Sequence, residues 1–212
     1  MTLEQLMQVS ANARDERWED QFLQALTESS IAPLSPDPQT GPDGWPYLLV
    51  QTAPVGEPAQ KILEWLGTRG IGLAVNPQKD YPDFVLSWGM IWNFRETGRF
   101  LHRGIPEGQP STGGSLDLGK LAHAGTPTPQ YLPDYVRKIL REFFRDQGLH
   151  DVRILVVSED RKNYDLAFSL ESLGNPPESE WAGVGEAISW FLPAHYSILL
   201  VSEKGLPGFS SL

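Results

Sequence analysis

The side chains best suited to proton transfer in this sequence are its four histidines, His102, His123, His150 and His195. No two of them have the three- or four-residue spacing that places metal ligands on one face of a helix, so the sequence predicts no histidine-rich metal site. General acid–base catalysis needs a histidine held by a second group beside a substrate pocket, and no pattern around His102 or His195 indicates one. We interpret His102 as a surface histidine near a turn, with a small hydrolase or transferase that uses His102 or His195 as an alternative.

Cysteine chemistry is excluded, because the chain of 212 residues contains no cysteine. Disulfides, thiolate zinc sites, iron–sulfur clusters and cysteine nucleophiles are therefore ruled out. The phosphate-loop motif, the dinucleotide-binding G-x-G-x-x-G, the G-x-S-x-G nucleophile motif and the zinc-binding H-E-x-x-H are also missing. We predict that the protein is not an enzyme and that it has no catalytic residue, no cofactor and no bound metal.

Two polar stretches resemble ligand-binding loops but have simpler interpretations. The sequence STGG at 111–114 has the composition of a phosphate loop, but no lysine follows it and no strand and helix frame it, which favours a linker. Glu159, Asp160 and Asp165 in SEDRKNYD offer oxygen ligands to a hard cation, yet they lack the regular spacing of a calcium loop. A solvated turn between two strands explains this stretch better.

Gly183 and Gly185 lie in the helical pattern WAGVGEAISW, where each glycine costs about 1 kcal/mol relative to alanine. Close packing of this helix against a sheet would justify both residues, and we favour that interpretation. The functional alternative is that a ligand approaches the helix backbone at these positions.

The most distinctive stretch is the aromatic-rich segment 83–99, DFVLSWGMIWNFRETGR. Large apolar side chains alternate there with small or polar ones over about a dozen residues, which is typical of a strand with one buried face. We predict a long strand, or two strands bent at Gly89. The large face comprises Phe84, Leu86, Trp88, Met90, Trp92 and Phe94.

Large aromatic side chains beside arginines also anchor many protein–protein interfaces. On that basis we predict that Trp88, Trp92, Arg95 and Arg99 contact a protein partner, an arrangement that suits a strand at the edge of a sheet. Burial of the large face in a hydrophobic core is the competing interpretation. If the core takes both tryptophans, Arg95 and Ile91 on the opposite face become the better contact residues.

The elements that would position these residues divide the chain into two domains of the α+β class. We predict an N-terminal domain over 1–105 with a helical extension and the long aromatic strand, a Gly/Pro-rich linker over 106–130, and a C-terminal domain over 131–212. Both are predicted to be small domains of the α/β-sandwich type. The second follows the order α-β-β-α-β, which becomes ferredoxin-like if a strand precedes it.

The charge of the chain restricts its partners. Net charge is −10 at pH 7, with both halves acidic, and such a surface repels phosphate backbones, so we predict no nucleic-acid partner. No apolar run approaches the roughly 20 residues that span a bilayer, and the acid-rich N-terminal helix is not a secretory signal. We therefore predict a cytoplasmic protein without a membrane partner.

The C-terminal segments GTPTPQYLPDYVRKILREFF, DVRILVVSED and YDLAFSLES, with a final helix–strand unit, are similar to the C-terminal domain of the SseB-like family. This bacterial family is named for enhanced serine sensitivity. The N-terminal half follows the family order more loosely, from FLQALTESSIAPL through WPYLLVQTA to ILEWLGTRGIGLAVNP. The aromatic-rich segment 83–99 and the acidic N-terminal helix depart from the family pattern.

The resemblance implies a two-domain cytosolic bacterial protein with no established enzymatic activity, and it carries over no catalytic residues. Together with the missing motifs, it favours a binding or adaptor protein that acts through protein–protein contacts, with a homodimer as one form of such contact. The first alternative is an immunity protein or secretion chaperone that masks a basic partner, because an acidic surface complements such a partner. The hydrolase or transferase is the second alternative.

Overall fold

The computed structural model describes residues 1–53, 55–79, 81–105, 107, 108, 110, 111, 116 and 118–212. Helices account for 31% and strands for 21% of the structure, and the strands form two mixed sheets, which confirms the predicted α+β class with two small domains. The chain divides into two compact units, Met1–Phe100 and Leu101–Leu212. The predicted first domain, 1–105, extends a few residues past this division.

The first unit begins with two helices, α1 (Leu3–Met7) and α2 (Glu16–Thr27). Helix α2 starts where the carboxylate of Asp15 accepts a hydrogen bond from the backbone N–H of Trp18 at 2.8 Å, an N-cap that acidic residues often provide. The following elements are β1 (Ser30–Pro33), β2 (Gln39–Thr40), β3 (Pro46–Thr52), β4 (Glu57–Pro58), α3 (Ala59–Leu66), β5 (Gly72–Val75), β6 (Phe84–Leu86) and α4 (Trp88–Thr97).

The first sheet has the strand order β4-β1-β3-β5-β6, with β2 paired to β3. Strands β3 and β5 are parallel and connected by α3, whereas β1 and β6 pair antiparallel with their neighbours. Because side chains alternate along each strand, one face of the sheet carries a set of buried apolar residues. This set includes Leu48, Val50, Leu73, Val75 and Leu86.

The structure contradicts the predicted long strand in the aromatic-rich segment 83–99. Strand β6 spans three residues, and α4 follows at once. The hydroxyl of Ser87 accepts a hydrogen bond from the N–H of Met90 at 3.3 Å and so caps the start of the helix. Gly98 ends the helix in the left-handed conformation, with a φ of 74°. Both boundaries are therefore set by residue types that favour helix ends.

The reason why the strand prediction was wrong is geometric. Trp88 and Trp92 are four residues apart, and a spacing of four puts two side chains on the same face of a strand as well as of a helix. Ile91 distinguishes the two structures, because a strand would place it opposite the tryptophans, whereas a helix places it beside them. Its side chain is fully buried, like that of Trp88.

The described residues of the second unit form two helices, α5 (Asp134–Asp146) and α6 (Trp181–Ser189), with a 3-10 turn at Glu178–Glu180 before α6. Its strands are β7 (Pro110–Ser111), β8 (His123–Gly125), β9 (Arg153–Ser158), β10 (Asp165–Ser169), β11 (Ser197–Val201) and β12 (Ser210–Ser211). The order α5-β9-β10-α6-β11 is the predicted α-β-β-α-β order.

The second sheet has the strand order β12-β9-β10-β11-β7, with β8 paired to β9. Strands β10 and β11 are parallel neighbours, so α6 makes a direct crossover between adjacent strands. A ferredoxin-like sheet would place the preceding strand between these two. Here neither strand before α5 does so: β7 pairs with β11 on its other side and β8 pairs with β9, so the ferredoxin-like detail of the prediction does not describe this sheet.

The two units have the same core arrangement. In the first, α2 precedes the antiparallel pair β1–β3, and α3 crosses from β3 to the parallel strand β5. In the second, α5 precedes the antiparallel pair β9–β10, and α6 crosses from β10 to the parallel strand β11. Each unit is therefore an α-β-β-α-β core with additional strands at its edges.

The segment 106–130, predicted as a linker, belongs to the second unit and supplies part of its structure. Strand β8 pairs with β9, and Leu116 and Leu121 pack on one face of the second sheet. Leu206 and Phe209, from the other end of the unit, pack on the same face. These residues cover the buried side chains of Leu155, Val157, Ala167 and Val201. The described part of this segment thus adds short edge strands and two leucines that cover a sheet face.

Candidate functional site

Two predicted contact residues, and the alternative contact Ile91, lie in the core of the first unit. Trp88 is fully buried, and its indole N–H donates a hydrogen bond to the carbonyl oxygen of Leu66 at 3.2 Å. Trp92 is 3% exposed, and its ring centroid lies 6.0 Å from that of Trp88. Ile91 is also fully buried. This burial corrects the prediction: the three side chains stabilise the core and do not form a contact surface.

The two predicted arginines, Arg95 and Arg99, lie at the exposed end of α4. A Cβ placed on Gly67, at the end of α3, would lie 3.1 Å from Cδ of Arg95, so the ends of the two helices are close together. Trp65 on α3 is 40% exposed, and the guanidinium of Arg69 lies 4.2 Å from its ring centroid. Trp65, which was not among the predicted contact residues, is thus exposed at the surface.

An open apolar cavity lies between α5 and α6 in the second unit. Its volume is about 440 Å³, within the range of about 300–1,000 Å³ that is typical of ligand sites. Phe143 and Phe144 line it from α5, and Val184 and Ala187 line it from α6. Because two helices on the same sheet leave a groove between them, their facing apolar side chains form its walls.

Aromatic contacts hold the α5 wall of this cavity in place. The ring of Phe144 lies 5.9 Å from that of Phe168 on β10, and the ring of Phe143 lies 4.8 Å from that of Phe191. The two phenylalanines of α5 are 5.0 Å apart, measured between ring centroids. These distances are typical of aromatic pairs that contribute packing energy beyond their buried area. The wall is therefore fixed by contacts with the sheet and with the segment after α6.

Gly183 leaves the α6 wall open. It is exposed and lines the cavity, and a Cβ placed on it would meet no other atom within 4 Å. Close packing against the sheet therefore does not explain Gly183, although Gly185, two residues further along, is buried. The alternative interpretation gains support, because the missing side chain widens the cavity at the helix backbone.

Polar groups also line this cavity, namely Gln147, Ser179 and Glu180. Glu180 is exposed at the start of α6, and its carboxylate makes no hydrogen bond or ion pair with any described residue. Sites that combine apolar walls with a few polar groups orient their ligands through those groups. The cavity therefore suits an apolar group that carries a hydrogen-bond donor or a cation.

A buried polar cluster surrounds Asp83 in the first unit. Its side chain is 2% exposed, and Arg14 and Lys79 lie 2.9 Å and 2.5 Å from its two carboxylate oxygens. The side-chain amide of Asn76 donates a third hydrogen bond at 2.8 Å. Burial raises the pKa of Asp83, but the hydrogen bonds from Lys79, Asn76 and Arg14 together outweigh it, and the net pKa lies below the ordinary 3.8. Because the carboxylate is fully engaged, we interpret this cluster as structural.

His102 and His195, the residues of the alternative enzyme hypothesis, lie together in the second unit. Their ring centroids are 5.2 Å apart, and the rings are nearly perpendicular. Burial lowers the pKa of His195, and the charge of His102 lowers it further. The ring of Tyr196 lies 5.1 Å from that of His195. The structure thus brings together two histidines whose separation in the sequence gave no indication of contact.

The stretch SEDRKNYD forms a turn that is held by its own hydrogen bonds. In SEDRKNYD, the carboxylate of Asp160 accepts hydrogen bonds from the backbone N–H groups of Asn163 and Lys162, both at 2.8 Å. These bonds lower the pKa of Asp160 to about 2, and the stretch is a turn. Most of the STGG stretch, at 112–114, lies outside the described residues. Within the described parts of the chain, no group of three or more histidine, aspartate or glutamate side chains is arranged to hold a metal ion.

Comparisons of the chain with protein-family models, with curated proteins and with solved structures find no match. None of the helices that the structure describes has the length and apolar character needed to cross a membrane. The residues of the chain itself are therefore the basis for any proposal about its function.

Proposed function

We propose that this chain is a non-enzymatic binding protein that holds an apolar segment of a partner protein in the cavity between α5 and α6. The open cavity beside Gly183 is the observation that carries this proposal. Covering such a surface is favourable, because each Å² of apolar surface removed from water contributes about 25 cal/mol. An apolar groove between helices is also a recurrent docking site for amphipathic segments.

The proposal includes a cytoplasmic location and membership in the bacterial SseB-like family. The α-β-β-α-β order of both units supports the family membership, because the resemblance in the sequence follows the same order of elements. The immunity-protein and chaperone alternatives differ from the adaptor only in the identity of the partner. Identification of a captured partner would distinguish among them.

Gly183→Leu is expected to abolish partner capture while the protein stays folded, because the new side chain enters the cavity from an exposed position. Gly183→Ala is the matched control. It should preserve capture and raise the free energy of unfolding by about 1 kcal/mol, since alanine favours the helix over glycine. The measurement is capture from a lysate of the source cells by the tagged full-length chain, with mass spectrometry and thermal unfolding of each variant.

The cavity proposal is supported if the wild type and Gly183→Ala both capture the same protein and Gly183→Leu, while still folded, does not. The double variant Arg95→Glu/Arg99→Glu tests the predicted contact residues that lie on the surface of the first unit. Loss of the same partner with this double variant, but not with Gly183→Leu, would contradict the cavity proposal and move the contact to the end of α4.

The contact between His102 and His195 favours one second candidate, a small hydrolase or transferase. The lowered pKa of His195 keeps its imidazole neutral near pH 7, so it can accept a proton from a nucleophile. If the candidate is correct, the wild type hydrolyses generic ester or phosphoester substrates, and the double variant His102→Ala/His195→Ala does not. Equal activity in both proteins, or no activity in the wild type, would remove this candidate.

A further inference from the structure

We infer that the segment held in the cavity is amphipathic and cationic: its apolar side chains lie between α5 and α6, and a lysine or arginine lies beside Glu180. This inference rests on the proposed function and adds the chemical class of the partner segment. The apolar walls indicate only that the segment has apolar side chains. Its charge is inferred from the charged residues around the cavity.

The α6 side of the cavity is acidic. The 3-10 turn and the helix contain Glu178, Glu180 and Glu186 and no lysine or arginine. All three glutamates are exposed, and none of their carboxylates forms a hydrogen bond or ion pair with a described residue. The net charge of −10 adds to the negative potential at this surface. A cationic group is therefore attracted to this side of the cavity.

The cavity lining on the α5 side is uncharged: Phe143 and Phe144 line it from α5, and Gln147 follows the helix. The basic residues of α5 lie outside this lining: Lys138, nearer the start of the helix, is 71% exposed and lies 3.9 Å from Glu142, and Arg145 is exposed in the last turn. Among the described residues that line the cavity, Glu180 is thus the one charged group, and none of them supplies a cation.

An acidic, a neutral and a basic segment would differ in how they affect the solvation of the Glu180 carboxylate. An acidic segment would be repelled, and a neutral apolar segment would remove water from the carboxylate without replacing it. A basic segment replaces that water with an opposite charge, and the attraction strengthens as the apolar walls exclude solvent. Apolar contacts in the middle with charged contacts at the rim are also the usual anatomy of a protein interface.

The test uses three short fluorescent helical peptides and the full-length chain, with fluorescence anisotropy as the readout. One peptide combines leucine anchors at helical spacing with lysines, the second replaces the lysines with glutamates, and the third replaces the leucines with serines. We expect the leucine–lysine peptide to bind about tenfold or more tightly than the other two. Its affinity should fall as salt increases, because its charged contact lies at an exposed rim.

Variants locate the contact. Glu180→Gln should weaken the leucine–lysine peptide about two- to fivefold, the strength of an exposed ion pair. Glu178→Gln is the matched control, because Glu178 lies in the same turn but does not line the cavity. This control should retain nearly the wild-type affinity. Gly183→Leu should remove the binding of the peptide.

Each contrary outcome has a distinct meaning. The charge inference is wrong if Glu180→Gln and Glu178→Gln bind the leucine–lysine peptide with equal affinity. It is also wrong if the leucine–glutamate peptide binds the wild type as tightly as the leucine–lysine peptide does. In both cases the cavity proposal stands. If the leucine–lysine peptide binds Gly183→Leu as well as the wild type, its site is elsewhere and the inference is also wrong. The proposed function itself fails only when Gly183→Leu retains the captured cellular partner.

Discussion

Replacing Trp88 with alanine is expected to lower the free energy of unfolding of the first unit by about 3–5 kcal/mol, the usual cost of removing a large buried aromatic side chain. The indole is fully buried, packs against Trp92 and donates its N–H to the carbonyl of Leu66. The substitution leaves a cavity between α4 and the end of α3 and removes that hydrogen bond. Urea unfolding followed by circular dichroism measures the loss.

Trp65→Ala is the matched control for this prediction. Trp65 is 40% exposed, and the guanidinium of Arg69 lies over its ring. Its replacement should cost about 1 kcal/mol or less, the range for an exposed cation–π pair. Equal costs for the two variants would show that Trp88 is not a core residue, and its predicted role as a partner contact would then return.

Arg14→Ala is expected to destabilise the first unit by about 1.5–3 kcal/mol at pH 7, because the buried carboxylate of Asp83 loses one charged donor while Lys79 and Asn76 remain. Lys61→Ala is the control for an exposed pair: the Lys61–Glu57 side chains are 72% and 53% exposed. Its cost should not exceed about 0.5 kcal/mol. Similar costs for Arg14→Ala and Lys61→Ala in chemical unfolding would contradict a structural role for the buried cluster.

The same cluster predicts the direction of the pH dependence. The pKa of Asp83 is lower in the folded protein than its ordinary value of 3.8. Folding therefore favours the ionised carboxylate, and this contribution to stability is present above the unfolded pKa and is lost as pH falls through the folded pKa. We expect the stability difference between wild type and Asp83→Asn to be constant near neutral pH and to shrink below about pH 4. A difference that grows on acidification would contradict this assignment.

The regular elements of the second unit could be predicted from the sequence because their periodicity is unambiguous. The buried residues of α5 recur at helical spacing, at Val136, Ile139, Leu140 and Phe144. Helix α4 could not be assigned from periodicity, since its two tryptophans fit a strand equally well. Its boundary residues, Ser87 and Gly98, were the signals that distinguish a helix.

The candidate site was less accessible to sequence reasoning than the fold. Gly183 is unusual in a helical pattern, but whether a helix glycine faces a sheet or open space depends on packing that periodicity does not describe. The partners Arg14 and Asp83 are 69 positions apart, and no local pattern indicates their contact. Glu180 resembles any exposed glutamate in the sequence and becomes distinctive only when the opposite wall of the cavity is known.

The covered face of the second sheet has a consequence for anyone who wishes to study that unit as an isolated recombinant fragment. Leu116 and Leu121 reach this face from before α5, and Leu206 and Phe209 reach it from after β11. A fragment that begins at residue 131, the predicted start of the C-terminal domain, would lack Leu116 and Leu121. The apolar sheet face that they cover would then be exposed and would favour self-association. A fragment that begins at residue 101 keeps both sets and is the better choice for expression and for ligand screening.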